Sequence, residues 1–257
     1  HESSMKVALI SDLHSNREAL EAVFEHIRAQ GIERIFCLGD IVGYGAEPEF
    51  CVDLVRGHAE VSLMGNHDDA LFHGGADFNP HARGAIDFTR ARLCPRWYSG
   101  SERRGRWKWL QNLEFTYREG RFLFVHGSPR DPVREYVLST DGMLNPDKLR
   151  AVFESFEGVA LGGHTHYPGI FWEDLQFAGL GGSAEHTVAL PEGKQAFINI
   201  GSVGQPRDND NRACYAVLED HQVTWHRVPY DYRATMDKIL ATGVLSEMLA
   251  RRLQMGK

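Results

Sequence analysis

The stretch Lys6–His14 has the sequence KVALISDLH, in which a strand pattern runs directly into polar side chains. Its first six residues form a short apolar run that is typical of a buried β-strand. Asp12 and His14 follow this run at once. Because ligand sites in α/β proteins gather at the carboxyl ends of strands, the stretch predicts both a fold class and the place of a site.

The segments after this stretch alternate between helix and strand patterns. Asn16 can cap a helix whose apolar positions recur at helical spacing as far as Gly31. Arg34–Leu38 and Glu60–Met64 are further strand candidates, and Pro48–Arg56 between them has a helical pattern. This β-α-β-α-β order with short connections predicts parallel strands joined by right-handed crossovers.

The rest of the chain divides into a helical insert and a second group of strands. The irregular segment at about 69–113 is rich in Arg, His and aromatic residues, and we interpret it as an inserted helical cap. A helix pattern around 146–156 lies among later strand patterns. These strand patterns are Glu114–Arg118, Phe122–His126, Val159–Gly162, Gly169–Trp172, Gln195–Ile200, Ala213–Glu219 and Val223–Pro229. We expect the last four to form a second, more antiparallel sheet, and residues 233–253 to form one amphipathic helix.

The composition is that of an ordinary globular protein. The chain has 257 residues, 42% of them hydrophobic, and its 28 basic against 35 acidic residues give a net charge of −7. This charge argues against bulk nucleic-acid binding, which needs a basic face, but it is compatible with a single nucleotide as substrate. We expect one domain over residues 5–257 and interpret residues 1–4 as a tag remnant.

Cysteine usage and hydropathy indicate the expected compartment. Cys37, Cys51, Cys94 and Cys214 lie far apart without a CxxC pair, which argues against a disulfide framework or a structural zinc site. No apolar run approaches the roughly 18 residues needed to span a membrane, and no signal-peptide pattern precedes the first strand. We therefore expect a cytoplasmic protein without a membrane partner. The sequence does not indicate an oligomeric state.

Five short polar blocks follow predicted strands along the chain. They are Asp12-Leu13-His14, Gly39-Asp40, Gly65-Asn66-His67-Asp68, His126-Gly127 and Gly162-Gly163-His164-Thr165-His166. Each block alone is more often a surface loop or a packed histidine, so their joint order is what indicates a site. Seven side chains in them are metal donors: Asp12, His14, Asp40, Asn66, His126, His164 and His166. A tetrahedral zinc ion takes only three or four protein ligands, so seven donors favour two ions that share a carboxylate.

These blocks, in this order, resemble the motifs D-x-H, GD, GNH(D/E), H and GHTH of the calcineurin-like metallophosphoesterase superfamily. The resemblance extends from Lys6 to about Arg207 and implies an α/β fold, a four-layer α-β-β-α sandwich with two facing mixed sheets flanked by helices. It also implies two divalent metal ions, for which Mn is favoured and Fe, Zn, Ni or Co are compatible with the donors. One ion would be held by Asp12, His14, Asp40 and His166, and the second by Asp40, Asn66, His126 and His164, with Asp40 bridging.

The resemblance further implies how the reaction proceeds. A water activated by the two ions attacks phosphorus in line, so no covalent enzyme intermediate forms. His67 is then the histidine that is not a ligand, contacts the phosphate and protonates the leaving oxygen. Asp68 is expected to form a hydrogen bond with His67 and orient it.

The motifs also narrow the expected substrate. Residues 39–45 (GDIVGYG) lack the arginine of the GDxxDRG motif found in the family's Ser/Thr protein phosphatases. Together with HGSP at 126–129 and NIGSVGQPR at 199–207, they look like the small bacterial phosphodiesterase-like branch. Hydrolysis of a small or nucleotide-like phosphodiester is the leading interpretation. Alternatives are a phosphomonoesterase or phosphoprotein phosphatase, a non-catalytic scaffold with the same fold, and a metal or phosphate sensor.

Four further residues are candidates for contact with the substrate. Arg130 and Arg207 are suited to bidentate binding of phosphate, although surface arginines without such a role are equally common. Tyr44 and Tyr136 either stack on a base or pack within the protein. The insert is a potential lid, and its sequence carries no motif that identifies the ester.

Overall fold

The computed structural model describes residues 5–257, which form twelve strands and nine helices. The predicted tag remnant at residues 1–4 lies outside the described residues. The strands are β1 (Lys6–Ile10), β2 (Arg34–Cys37), β3 (Val61–Ser62), β4 (Tyr117–Glu119), β5 (Phe122–Phe124), β6 (Val159–Gly162), β7 (Gly169–Trp172), β8 (Phe177–Gly179), β9 (Glu185–Ala189), β10 (Ala196–Asn199), β11 (Ala213–Glu219) and β12 (Gln222–Val228). The helices are α1 (Arg17–Ala29), α2 (Pro48–His58), α3 (Asn66–His73), α4 (Pro80–Leu93), α5 (Ser101–Gln111), α6 (Asp141–Leu144), α7 (Pro146–Glu154), α8 (Tyr232–Ala241) and α9 (Glu247–Met255).

The strands form two mixed sheets of six strands each. The first has the order β3-β2-β1-β11-β12-β9 and the second the order β4-β5-β6-β10-β7-β8. In the first sheet β1, β2 and β3 are parallel, and in the second β5, β6 and β10 are parallel. The other pairings are antiparallel. Each sheet therefore contains a parallel trio whose carboxyl ends lie at one edge.

Alternating side chains along the strands build the layers. In β1, Val7 and Leu9 pack between the two sheets, whereas Ala8 and Ile10 pack on the opposite face with residues of α1 and α2. Helix α7 covers the outer face of the second sheet. The predicted four-layer α-β-β-α sandwich is thus confirmed.

Two predictions about the later elements are wrong. Strands β11 and β12, which we expected in the second sheet, belong to the first, because β11 pairs antiparallel with β1. Pairing between strands so distant in the chain leaves no mark in local periodicity. Residues 233–253 form two helices instead of one, since Gly243 adopts φ +67° after α8 and the Ser246 side chain caps α9. Strands β8 and β9 have no counterpart among the predicted elements.

The helices between β3 and β4 lie next to the site. Helices α3, α4 and α5 contact one another, and α4 and α5 also contact α2. The connection from α3 to α4 carries Phe78, which reaches the ring of His67. Within residues 5–257 no helix has both the length and the apolar character needed to cross a membrane.

Candidate metal centre

The carboxyl ends of the parallel strands bring the seven predicted donors together. The donors follow β1, β2, β3, β5 and β6, in the order in which the sequence presents them. All seven are at most 9% exposed: Asp12, His14, Asp40, Asn66, His126, His164 and His166. Burial of so many polar groups at one place requires partners that satisfy them.

The donor atoms form two adjacent groups that share one carboxylate. Within each group they lie within 4.8 Å of one another. The first group comprises Asp12, His14, Asp40 and His166, and the second comprises Asp40, His126 and His164. Oδ2 of Asp40 lies 3.7 Å from Nε2 of His14 and 3.4 Å from Nε2 of His126. Oδ1 of Asn66 lies 3.1 Å from Nε2 of His126 and so extends the second group.

Main-chain carbonyl groups set the tautomer of each histidine. Nδ1 donates to a carbonyl oxygen in three cases: His14 to Val42 at 3.2 Å, His126 to Leu38 at 2.8 Å and His166 to Gln205 at 2.6 Å. Since a carbonyl only accepts, Nε2 of each neutral ring carries a lone pair that faces the donor group. His164 is held in the other tautomer. Its Nε2–H donates a hydrogen bond to the carbonyl oxygen of Arg134 at 3.0 Å, so the lone pair that can bind a metal ion is on Nδ1.

Two contacts in the first group are unfavourable unless a cation lies among the atoms. Nε2 of His14 and Nε2 of His166 lie 3.1 Å apart, with no proton between them in these tautomers. Oδ1 of Asp12 is buried 3.2 Å from Nε2 of His166, and it has no hydrogen-bond partner among residues 5–257. Facing lone pairs repel one another unless positive charge lies among them. The donor set of carboxylate, imidazole and amide therefore fits borderline divalent cations.

The electrostatics of the centre also favour positive charge. Burial raises the pKa of Asp40, but His126 and His67 outweigh burial and hold this pKa well below its usual range. Burial lowers the pKa of His126, yet the Asp40 carboxylate reverses the effect and raises it to about 9. Burial lowers the pKa of His164 to about 3, so this ring is neutral at pH 7.

Five of the donors have a strained backbone. Their φ angles lie in the left-handed region: Asp12 54°, His14 48°, Asp40 52°, His164 68° and His166 60°. This conformation costs about 1–2 kcal/mol for a residue with a Cβ atom. Strain of this kind persists where the surrounding structure holds it, and it concentrates at functional sites.

Gly204 packs so closely on the turn between Asp12 and His14 that it leaves no room for a side chain. A Cβ atom there would lie 1.9 Å from the carbonyl oxygen of Leu13. We expect Gly204→Ala to lower the free energy of unfolding by about 1–3 kcal/mol, because the turn must shift. Urea denaturation measures this change. The control is Gly57→Ala in α2, where a Cβ atom meets open space, and equal stability of the two variants would contradict the close contact.

His67 lies beside the donor groups without belonging to either. Its ring centroid is 4.8 Å from that of His14, 4.5 Å from that of Tyr44 and 4.9 Å from that of Phe78. Its Nδ1 is buried without a hydrogen-bond partner. Burial lowers the pKa of His67 to about 4, although Asp40 opposes the effect.

Asp68 does not form the hydrogen bond with His67 that the sequence led us to expect. Its Oδ1 accepts from the N–H groups of Ile41 and Val42 at 3.0 and 3.2 Å, and its Oδ2 accepts from Gly65 at 3.0 Å. The reason is its place in the first turn of α3, from which the side chain turns back to the start of the helix. Burial and Asp40 raise the pKa of Asp68 to about 8. Asp68 thus joins the loop after β2 to the start of α3.

Comparison with known proteins identifies the family. Residues 5–222 match the model of the calcineurin-like phosphoesterase superfamily domain. The chain belongs to the calcineurin-like phosphoesterase superfamily. The family resemblance predicted from the five motifs is confirmed.

Two relatives extend over the whole chain. An uncharacterized protein of Methanocaldococcus jannaschii is 36% identical over 260 residues, which cover 98% of each chain. The crystal structure of a metallophosphoesterase from Sphaerobacter thermophilus is 36% identical, covers 99% of this chain and 100% of its own, and superposes with a TM-score of 0.82. A hypothetical protein from Pyrococcus horikoshii, at 18% identity and a TM-score of 0.74, shares the fold.

A cleft of about 420 Å³ opens beside the centre of this phosphoesterase. Its lining includes the aromatic side chains of Tyr44, Phe78 and Tyr136. Asp69 and Arg134 also line it and form an ion pair with each other. The sequence did not indicate Phe78, Asp69 or Arg134, and the only available signal for Arg134 was its place in the loop after His126.

The two predicted arginine contacts have different surroundings in the phosphoesterase. Arg130 is not among the residues that line the cleft, and its guanidinium group binds Glu135, so we do not retain it as a substrate contact. Nη2 of Arg207 lies 3.4 Å from the hydroxyl of Tyr44, and its charge adds to burial in lowering the pKa of His166. Arg207 does not line the cleft either, but it contacts Tyr44, which does, and it stays a proposed substrate contact.

Proposed function

We propose that this calcineurin-like phosphoesterase hydrolyses small or nucleotide-like phosphodiesters with the help of two divalent cations. The observation that carries the proposal is the pair of buried donor groups that share Asp40 beside an open cleft. The proposed sites are Asp12, His14, Asp40 and His166 for one cation, and Asp40, Asn66, His126 and His164 for the other. Two such cations supply positive charge that acidifies a water molecule and offsets charge on the phosphoryl oxygens.

Hydrogen bonds from the histidine rings to main-chain carbonyl groups orient the rings in the proposed sites. Each ring is fixed by a hydrogen bond to a carbonyl group, so its second nitrogen faces the proposed cation without rotation of the ring. His126, whose pKa the Asp40 carboxylate raises to about 9, gives up a proton when a cation binds. Mn²⁺ is the first choice because the carboxylate and amide oxygens suit it and the set contains no thiolate. Fe, Zn, Ni and Co remain compatible with the same set.

His67 is the proposed proton donor to the leaving oxygen. It lines the cleft but belongs to neither donor group. A Cβ atom at Gly43 would lie 2.4 Å from Nδ1 of His67, so this nitrogen is turned into the protein and Nε2 is the atom available to the cleft. The proton is proposed to pass from Nε2 of the protonated His67 ring, a form that burial disfavours and that the negative charges of Asp40 and of a bound phosphate favour. Asp68 acts only as a positioning residue for the loop that carries Asp40.

The charges near the cleft support a diester in preference to a monoester. A diester phosphate carries one negative charge, whereas a monoester phosphate carries about two near pH 7. Arg130 and Arg134 are each neutralised by a carboxylate, from Glu135 and Asp69 respectively. Among the arginines of the cleft and of the loops next to it, within residues 5–257, Arg207 alone forms no ion pair.

The proposed compartment is the cytoplasm, and the proposed partner is a small substrate. Cys37, Cys51, Cys94 and Cys214 are free thiols, which supports a reducing cytoplasm. The net charge of −7 supports a small substrate in preference to bulk nucleic acid.

A paired ester assay tests the proposed function. Mn²⁺-loaded protein is expected to cleave bis-p-nitrophenyl phosphate faster than p-nitrophenyl phosphate, with both activities removed by EDTA and restored by Mn²⁺. Release of p-nitrophenolate measures both rates. Faster cleavage of the monoester or of a phosphopeptide would favour the phosphatase alternatives. No metal-dependent cleavage of any ester would favour the scaffold, and tight binding of Mn²⁺ or phosphate without turnover would favour the sensor.

A further inference from the structure

The loop Ser128–Tyr136 after β5, here termed the recognition loop, is tied directly to the metal centre. The carbonyl of Arg134 accepts the hydrogen bond from Nε2 of His164 at 3.0 Å. The ring of Tyr136 stacks on the ring of His164, with centroids 3.7 Å apart and an angle of 18° between the planes. Arg134 and Tyr136 of one loop therefore both contact a proposed ligand and also line the cleft.

We propose that Tyr136 is the platform on which the phosphoester places a flat, uncharged aromatic group, the nucleobase of a nucleoside. This inference rests on the proposed function and specifies its substrate class. One face of the Tyr136 ring lies on His164, while 45% of the residue remains exposed at the cleft. A phosphate at the donor groups next to His164 thus brings its ester group to the free face of the ring. Base–aromatic stacking tolerates any base, because every base has a π-face.

The charges of the cleft indicate that the group on Tyr136 is uncharged. Arg134 lines the cleft, but its guanidinium group is engaged by Asp69, whose side chain is 8% exposed. Nδ1 of His73 lies 2.8 Å from the other oxygen of Asp69. Asp77 adds a further carboxylate to the lining. A second phosphate group at this end of the cleft would meet carboxylates, whereas a neutral ring meets aromatic surface from Tyr136 and Phe78.

Hydrogen bonds among its own residues hold the recognition loop in place. The Glu135 carboxylate turns away from the cleft and accepts hydrogen bonds from the Ser128 hydroxyl at 2.5 Å and from Nε of Arg130 at 3.0 Å. Oδ1 of Asp131 accepts from the N–H groups of Val133 and Arg134. The structure therefore assigns to Arg130 a positioning role that acts through Glu135. A platform that is already rigid loses little entropy when a base stacks on it.

A matched pair of ligands isolates the contribution of the base. Adenosine 5′-monophosphate and ribose 5-phosphate share the sugar phosphate and differ by the base. We expect calorimetric titration of the Mn²⁺-loaded protein to show adenosine 5′-monophosphate binding at least about tenfold more tightly. In Tyr136→Leu this ratio is expected to fall to about one or two, whereas Tyr136→Phe retains it because the ring is kept. The ratio is independent of metal occupancy, since both ligands carry the same phosphate.

The control variant is Tyr98→Leu, which removes a tyrosine that is 60% exposed and does not line the cleft. It should leave the ratio unchanged. Equal affinities of the two ligands for the unmodified protein would overturn the inference, as would a tenfold ratio that survives in Tyr136→Leu. Loss of all ester hydrolysis with the ratio intact would instead overturn the proposed function, so the two failures are distinguishable.

Discussion

Asp40→Asn is expected to reduce Mn²⁺-dependent ester hydrolysis to less than about one-hundredth, because the variant loses the carboxylate shared by both donor groups. Oδ2 of Asp40 is the atom that lies between Nε2 of His14 and Nε2 of His126. Asparagine keeps an oxygen that can accept the hydrogen bond from the N–H of His67, which Oδ1 now accepts at 2.8 Å. The variant therefore changes the charge of the centre more than its shape.

Metal analysis and thermal unfolding separate loss of metal from loss of fold. Mn²⁺ should raise the unfolding temperature of the unmodified protein, because a ligand that binds only the folded state stabilises it, but should have little effect on Asp40→Asn. Metal content should fall from two ions towards none. The matched control is Asp147→Asn, whose carboxylate is 97% exposed and pairs only with Arg150. Two Mn²⁺ ions in Asp40→Asn would contradict the bridging role.

The sequence predicted the fold where the pattern is local and failed where pairing is distant. Runs such as Lys6–Ser11 and Val159–Gly162 are apolar and end in polar blocks, so the structure has strands there. The sheet to which Ala213–Glu219 belongs depends on its pairing with β1, about two hundred residues earlier. The half-exposed β9 has a weak apolar signal, and it was missed for that reason.

The proposed donors stand within a few residues of strand ends, where the sequence pattern places them, whereas no sequence pattern indicates the cleft. Metal donors are confined to a few residue types, and the edge of a sheet brings them together without help from distant loops. Phe78 and Arg134 reach the cleft through loop conformations, which leave no periodic signal. Asp68 is a second case in which the sequence did not predict a contact. The sequence suggested a hydrogen bond with its neighbour His67, but at the start of α3 the carboxylate accepts from the N–H of Gly65 instead.

The proposed metal ligands and most of the cleft lining come from different parts of the chain. The proposed ligands follow strands, and five of the seven have left-handed backbone angles. Two of these ligands, Asn66 and His164, also line the cleft. Apart from them, Tyr44 and Ala82, the residues that line the cleft come from α3, the connection to α4 and the recognition loop. Changes in these loops can alter the accepted ester without moving a donor, provided that the carbonyl of Arg134 still holds His164.

His67→Ala is expected to lower kcat by about 10²–10⁴-fold while both Mn²⁺ ions stay bound, because the variant removes a proton donor and no metal ligand. The main-chain N–H of residue 67, which donates to Asp40, is unchanged by the substitution. Metal analysis by mass spectrometry should give the same content as for the unmodified protein. The control is His81→Ala in α4, whose side chain is exposed and does not line the cleft.

The leaving group distinguishes acid catalysis from a merely structural effect of His67. A p-nitrophenolate ion leaves readily without a proton, so its ester needs the acid less than an ester whose alkoxide must be protonated. The loss of kcat in His67→Ala should therefore be larger for a dinucleoside phosphate than for bis-p-nitrophenyl phosphate. An equal loss for both esters would remove His67 from the role of proton donor, and loss of Mn²⁺ from the variant would make it part of the metal centre instead.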